Sequence, residues 1–368
     1  MQTSPPAQPA RSARSRPSGS ESPAVPTRSD GPDAAAVRYR LGHGLRLVDR
    51  GDNTLQVGTD APRRVILQHA PADAATVLRS LDGGEAVPAL LQRTGADPEL
   101  WSALFRRLAD AGLLGTTGTG TDPVLGLAGE RAHLTHRYGA DSAEMLLARR
   151  ADAIIEIQGA GRVASGIALQ LAASGIGHLH HAPDRPLGRQ DLLPPMNESQ
   201  LPDDRSRLAA RLRAVSERIQ VSPVAGHQRP SLVVIAGDGP ADATATTQLV
   251  DDGIPHLAVW AGPSRAVVGP LVLPGMSSCL WCAELSRVDA DDGWPLVRQV
   301  VHGQPLPPAT VLAAGAAALA TAEILDLVEA TRRPTTVDGT VEWDVTHLPR
   351  RRSWIPHPQC PCRPSAGH

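Results

Sequence analysis

The chain has no lysine, so all 36 of its basic residues other than histidine are arginine. Any positive charge that a site needs must come from a guanidinium, which is planar and forked where an ammonium is compact. Net charge is also nearly absent, at -2 over 368 residues. That leaves no electrostatic footprint for nucleic acid or an anionic membrane. The opening stretch from Met1 to about Ala35 is rich in Pro, Ser, Ala and Arg and has no apolar run. It lacks the core of roughly seven or more apolar residues that a signal peptide needs, and it cannot bury enough surface to order itself. The one long weakly polar stretch, Ala309 to Ala322, is small-residued and runs into Glu323 and Asp326. It reads as a buried helix rather than a membrane span. A soluble, cytoplasmic protein is expected.

Cysteine is scarce as well. There are four, in two tight pairs, Cys279/Cys282 and Cys360/Cys362. A C-x-x-C turn brings two thiolates to one ion, and a second short pair completes a four-thiolate site of the structural zinc type. Such a site has no open position for chemistry and would tie the chain's end to a segment 78 residues upstream, counting from Cys282 to Cys360. Two strained disulfides or four free thiols remain as alternatives. Zinc suits a chain otherwise free of cysteine in a reducing compartment, and it leaves no cysteine for a nucleophile.

The length allows two domains with their own cores. After a disordered tail (1–36), Tyr39 to Val57 is predicted to be a hairpin, with Leu45, Leu47, Leu55 and Val57 flanking a turn at 50–53, and a further strand follows at Val65, Ile66 and Leu67. Helices follow at 72–81 and 86–93. A third starts at Asp97 and Pro98, with an acidic N-cap and proline at its first position, and presents Trp101, Leu104, Phe105, Leu108 and Ala111 on one face. Strands followed by three short helices define a winged-helix-like module over 37–115, with a Gly/Thr-rich linker at 116–129.

From about Asp152 strands and helices alternate. Strands are expected at 154–157, 232–235 and 256–260, and helices at 164–174 and 205–218, giving an α/β, doubly wound, Rossmann-like sheet over 130–368. A G-x-G-x-x-A loop, Gly159, Gly161 and Ala164, leaves the first strand and enters the first helix. Glycines there permit a tight turn and close approach of a phosphate to the helix N-terminus. A glycine turn serving only helix–strand packing is the other reading.

These motifs, together with Gly175 and Gly177, Asp238 after Ala236 and Gly237, and the run from Gly269 to Cys282, resemble the ThiF/MoeB/ubiquitin-activating-enzyme superfamily. The ending His357, Pro358, Gln359, Cys360 resembles the ThiF-like, leader-peptide-binding partner proteins of azole-modified ribosomal peptide biosynthesis, whose N-terminal module is PqqD-like. The resemblance implies a nucleotide site at Gly159, Gly161, Ala164 and Asp238, with ATP and magnesium as the family's cofactors. It also implies a precursor leader peptide and a YcaO-type cyclodehydratase as partners, and it leaves a homodimer open.

Position by position, the active site that the resemblance implies is eroded. Pro183 stands where the ribose-binding aspartate belongs, with Asp184 one place off. The segment Asp191, Leu192, Leu193, Pro194 has proline in place of the family's arginine, and the family's lysine is absent. Nucleotidyl transfer needs concentrated positive charge, and losing one such group commonly costs on the order of a thousandfold in rate. A catalytically degenerate domain kept for binding is expected; an active adenylyltransferase with a rearranged pocket is the alternative. His178, His180 and His181 read as strand and loop packing, Arg350–Arg352 as a solvated face, and Ser165, Ser277 and Ser278 as cap and turn residues.

Overall fold

The computed structural model describes residues 37–116, 126–187, 191, 204–303 and 306–362. The expected disordered tail, most of the expected linker, and Leu192 to Pro194 lie outside the described residues. The N-terminal part begins with β1 (Tyr39–Leu41), then β2 (Leu47–Asp49), β3 (Leu55–Val57) and β4 (Val65–Leu67). Strands β2, β3 and β4 form an antiparallel meander in that order, with Leu47 opposite Val57. Helices α1 (Ala74–Arg79), α2 (Val87–Thr94) and α3 (Pro98–Asp110) pack beneath it, and β5 (Leu114–Thr116) returns to pair with β1, so Tyr39–Leu41 lies outside the expected hairpin, which is confined to β2 and β3.

Local chemistry explains α3. Asp97 accepts from the backbone N–H of Glu99 at 2.9 Å and of Leu100 at 3.2 Å, with Pro98 at the first helical position, where a missing donor costs nothing. Trp101, Phe105 and Leu108 are buried along one stripe, the two rings 5.2 Å apart and tilted by 45°. Together with Val57, Leu78 and Leu90 they form a core separate from that of the large sheet.

Two helices packed on one another, α4 (Ala128–Tyr138) and α5 (Ala140–Asp152), come next. Ion pairs tie them to both sides. Arg131 and Arg40 meet at Glu144, at 2.7 and 3.2 Å, and the buried Arg150 bridges Glu130 at 2.7 Å and Glu329 at 2.5 Å.

The large sheet has eight strands in the order β13-β12-β11-β10-β9-β6-β7-β8. These are β6 (Ile154–Gln158), β7 (His178–Ala182), β8 (Gln220–Val221), β9 (Leu232–Gly237), β10 (His256–Ala261), β11 (Ala266–Val272), β12 (Gly339–Trp343) and β13 (Arg350–Ser353). Strands β8, β7, β6, β9 and β10 are parallel neighbours, whereas β11, β12 and β13 extend the sheet antiparallel. The central strands β9 and β10 are near-continuous apolar runs, as expected where both faces are covered, whereas β6 and β7 carry polar residues such as Glu156 and His180.

Helix α6 (Arg162–Ala173) connects β6 to β7, and α7 (Asp204–Val215) precedes β8. The short α8 (Thr247–Asp251) lies between β9 and β10. After β11 come α9 (Leu280–Ala290), α10 (Trp294–Gly303) and α11 (Thr310–Glu329). Helix α11 alone among the described residues is long and apolar enough to cross a membrane. Its Ala313, Ala316, Ala317 and Ala320 are buried in the same core as α6 and the sheet, small side chains letting the helices approach closely.

Candidate nucleotide cleft and metal centre

Strand β6 lies between β7 and β9: the chain runs outward from it through β7 and β8 and then crosses back to β9 on its other side. The crevice outside its C-terminal end, where such sheets take ligands, is formed by the glycine loop and the end of β9. Gly159 has φ +97°, and a Cβ there would sit 2.0 Å from the Ala236 carbonyl oxygen. Gly161 has φ +103°, and a Cβ would meet Asp238 Oδ1 at 2.8 Å. Both glycines are therefore required by the protein's own packing, whatever the crevice holds. Ala164 is fully buried in α6 against the sheet and serves the same close approach.

Asp238 follows β9 and faces the crevice. Its Oδ1 is buried without a hydrogen-bond partner among the described residues. Burial pushes its carboxyl above the ordinary range, and the Arg185 guanidinium acts in the opposite direction. Arg185, three residues past β7, reaches 3.5 Å from Asp238 Oδ2. It also donates a fork of hydrogen bonds to Asp191, Nη1 to Oδ2 at 2.7 Å and Nη2 to Oδ1 at 2.8 Å. Ser165, expected as a cap, donates to the Asp191 carbonyl at 2.6 Å. Pro183 follows β7 directly, and Asp184 is exposed beside it. Arg162, the first residue of α6, donates to the Pro308 carbonyl at 3.2 Å and to Thr310 Oγ1 at 3.1 Å.

The three histidines of β7 do not converge on one point. His178 bonds the Ser222 carbonyl at 3.0 Å, His181 the Gly159 carbonyl at 2.8 Å, and His180 lies 3.5 Å from Glu156.

Beyond Asp238 a cleft of about 570 Å³ extends over the ends of β10 and β11. Trp260, Arg265, Arg298 and Arg352 line it, and Val300 and Val301 of α10 form an apolar lip. Arg350–Arg352 form the edge strand β13. Arg352 lies over the Trp354 ring at 4.5 Å, Arg287 lies over the same ring at 4.8 Å, and Arg351 bonds backbone carbonyls of 335, 337 and 338. This run is thus part of a cleft wall as well as a solvated face.

The four cysteines converge: their sulfurs lie within 4.8 Å of one another. Cys279 to Cys282 is 3.9 Å, and Cys279–Cys360 and Cys282–Cys362 are each 3.5 Å. All four are free cysteines, and these separations fit sulfurs about 3.8 Å apart around a tetrahedral zinc with Zn–S near 2.3 Å. The His357 N–H donates to Cys282 Sγ at 3.3 Å. The hydrogen bond from Cys279, followed by others including this one, pushes the Cys282 thiol below its ordinary range. The donor set fits zinc, with no position left for a substrate.

Magnesium is different. It requires oxygen ligands in near-octahedral array at about 2.0–2.1 Å. Here one carboxylate, Asp238, faces the crevice with a guanidinium already against it, and a second, Asp191, is consumed by the same guanidinium. Asp238 could offer such an ion one oxygen, the rest of the sphere falling to nucleotide phosphates and waters, with the Arg185 guanidinium 3.5 Å from its Oδ2 opposing the ion's charge.

Solved structures share this architecture. E. coli MccB crystallised with ATP is 18% identical, with a TM-score of 0.60 over 88% of this chain and 99% of that one. The microcin C7 biosynthetic enzyme MccB in complex with N-formylated MccA is 16% identical, with a TM-score of 0.61 over the same shares. The selenomethionine form of PaaA is 17% identical, with a TM-score of 0.57 over 85% of this chain and 98% of that one. No family profile matches the chain, and no curated protein matches its sequence. At these identities the likeness establishes the fold alone, a Rossmann-like mixed sheet shared with these structures. Residues 130–368 alone could not supply an 88% match, so the shared architecture takes in part of the N-terminal region as well.

Sequence reasoning missed Arg185 and α10. Arg185 lies 53 positions from Asp238, and no local pattern marks it as a crevice residue.

Proposed function

We propose that this chain is a ThiF-like protein that captures a precursor peptide by its leader and presents it to a partner enzyme, with its nucleotide site degenerate. The observation that carries this reading is the crevice itself: Arg185 stands against Asp238, the position that the family resemblance assigns to metal and phosphate. Fold likeness to MccB, solved in complex with N-formylated MccA, supports a peptide as the bound class. The winged-helix-like reading of 37–115 supplies a means. Strands β2 and β4 each have one strand neighbour in their sheet, and Val48 and Ile66 flank Gln56 on its exposed face. A leader could add to such an edge through its backbone while shallow apolar contacts read alternate side chains. The 570 Å³ cleft, with its apolar lip and arginine wall, suits the following peptide segment. The partner that the sequence resemblance supports is a YcaO-type cyclodehydratase. Gly159, Gly161, Ala164 and Asp238 then serve as a structural relic of the nucleotide loop.

A second reading, an active adenylyltransferase, is favoured by the unsatisfied Asp238 Oδ1 and the preserved glycine turn. ATP–pyrophosphate exchange separates the two. The degenerate reading expects no exchange with any precursor peptide, whereas robust exchange abolished by Asp238→Ala would establish the enzyme.

A further inference from the structure

We propose that the sheet wall of the 570 Å³ cleft receives an extended, acidic peptide segment with carboxylates at alternate positions. The inference names the chemistry of the segment that follows the leader, and it rests on the reading that this cleft holds one. Strand register puts the charges of the wall on one face. Trp260 of β10 lies opposite Val267 of β11, Val267 opposite Glu342 of β12, and Glu342 opposite Arg350 of β13. Side chains alternate between faces along a strand, so Arg352 shares this face with Arg350, and Arg265, two residues before Val267, joins them. Arg351 takes the other face, where its guanidinium lies against Gly339 and bonds backbone carbonyls. Arg265 and Glu342 line both the cleft and an adjoining hollow of about 390 Å³ that reaches Arg350, so the wall is continuous.

The charges on this wall do not close among themselves. Arg265, Arg350 and Arg352 are exposed, and none has an ion-pair partner among the described residues; Arg352 rests on the Trp354 ring. Glu342 is the one carboxylate within β11, β12 and β13. Three guanidiniums against one carboxylate leave two positive charges uncompensated. The opposite wall differs: Arg287 meets Glu284 at 2.6 Å, Arg298 lies 4.0 Å from both Asp242 and Glu284, and Asp291 accepts from the Gly293 N–H at 2.9 Å. Alternate residues of an extended chain stand about 6.8 Å apart, which is also the spacing of Arg350 and Arg352 along β13. Carboxylates at positions i and i+2 of a segment laid along β13 therefore match the two guanidiniums in step. A second copy of this edge strand is the poorer occupant, because its arginines would face like charge.

The test uses full-length, zinc-loaded protein and fluorescein-labelled synthetic peptides of one length, with Glu, Gln or Lys at two alternate positions, followed by fluorescence anisotropy at low salt. The Glu peptide should bind on the order of tenfold more tightly than the Gln peptide, the Lys peptide should bind more weakly still, and the preference should shrink as salt screens the exposed charges. Moving the two Glu to adjacent positions should weaken binding, since one carboxylate then points away from the wall. Arg350→Gln/Arg352→Gln should bring the Glu and Gln peptides to nearly equal affinity. If that variant does not fold, Arg265→Glu, at a side chain with no described partner, should reduce the preference in its place. A folded wild type that binds the Glu and Gln peptides alike, or binds neither, overturns the proposal, as does a Glu preference that persists unchanged in both arginine variants. Leader capture is read separately, by titration with the leader itself, and stands or falls on its own.

Discussion

Replacing Cys360 by serine tests how the chain's end is held. In the chain-entropy view, closing the 78-residue loop from Cys282 to Cys360 is worth about 4.5 kcal/mol. That is a ceiling, because part of the closure is already made. Strands β12 and β13 pair, Trp354 is buried, and Ser278 bonds Asp338 at 2.7 Å and reaches the Trp354 carbonyl. Only the six positions from Trp354 to Cys360 then remain for the metal to close, worth about 2.2 kcal/mol by the same relation. A loss between these limits lowers the melting midpoint of a domain this size by roughly 5–15 °C. Scanning calorimetry alongside elemental analysis provides the assay. Wild type should carry one zinc per chain, and a chelator should bring its midpoint down to that of Cys360→Ser, which the chelator should not move. A metal-free wild type that melts with the zinc-loaded protein would refute the reasoning.

Two further outcomes follow from buried charge. Glu329→Ala removes the more buried of the two carboxylates on Arg150, whose side chain is 2% exposed and keeps Glu130, and should cost about 1.5–3 kcal/mol in urea denaturation; a loss below about 0.5 kcal/mol, as for a surface substitution, would contradict the buried pairing. The Asp238 carboxyl is raised above its ordinary 3.8 by burial, so the folded state favours its neutral form. The associated stability is present below 3.8 and is lost as pH rises through the folded-state value. Asp238→Asn carries no such dependence, so its midpoint relative to wild type should be higher at neutral pH than in acid; an unchanged or reversed difference would count against the burial.

Sequence legibility followed the range of the chemistry. The hairpin turn at 50–53, the N-cap at Asp97 and the glycine turn after β6 are local devices, and each could be read where it stands. The cysteine pairs were legible across a long separation because thiolates at such spacings have few other uses. Strand β13 was hidden because Arg350–Ser353 reads as a charge run, and its strand character comes from pairing with β12 rather than from propensity. The apolar side of α10, with Leu296 and Val300 exposed, gives no sign in sequence of lying beside a cleft. Arg185 was illegible for the same reason as any tertiary ion pair: the β7 loop and the end of β9 meet only once the sheet is assembled.

The central claim, that this chain holds a leader peptide without nucleotide chemistry, is tested most directly by calorimetric titration of the full chain, in the absence of ATP, with the leader of a precursor encoded beside it. The account predicts binding near micromolar, about -8 kcal/mol, abolished by a proline in the leader's pairing segment, which removes a backbone donor. No binding without nucleotide, with binding restored by ATP and magnesium, would contradict it.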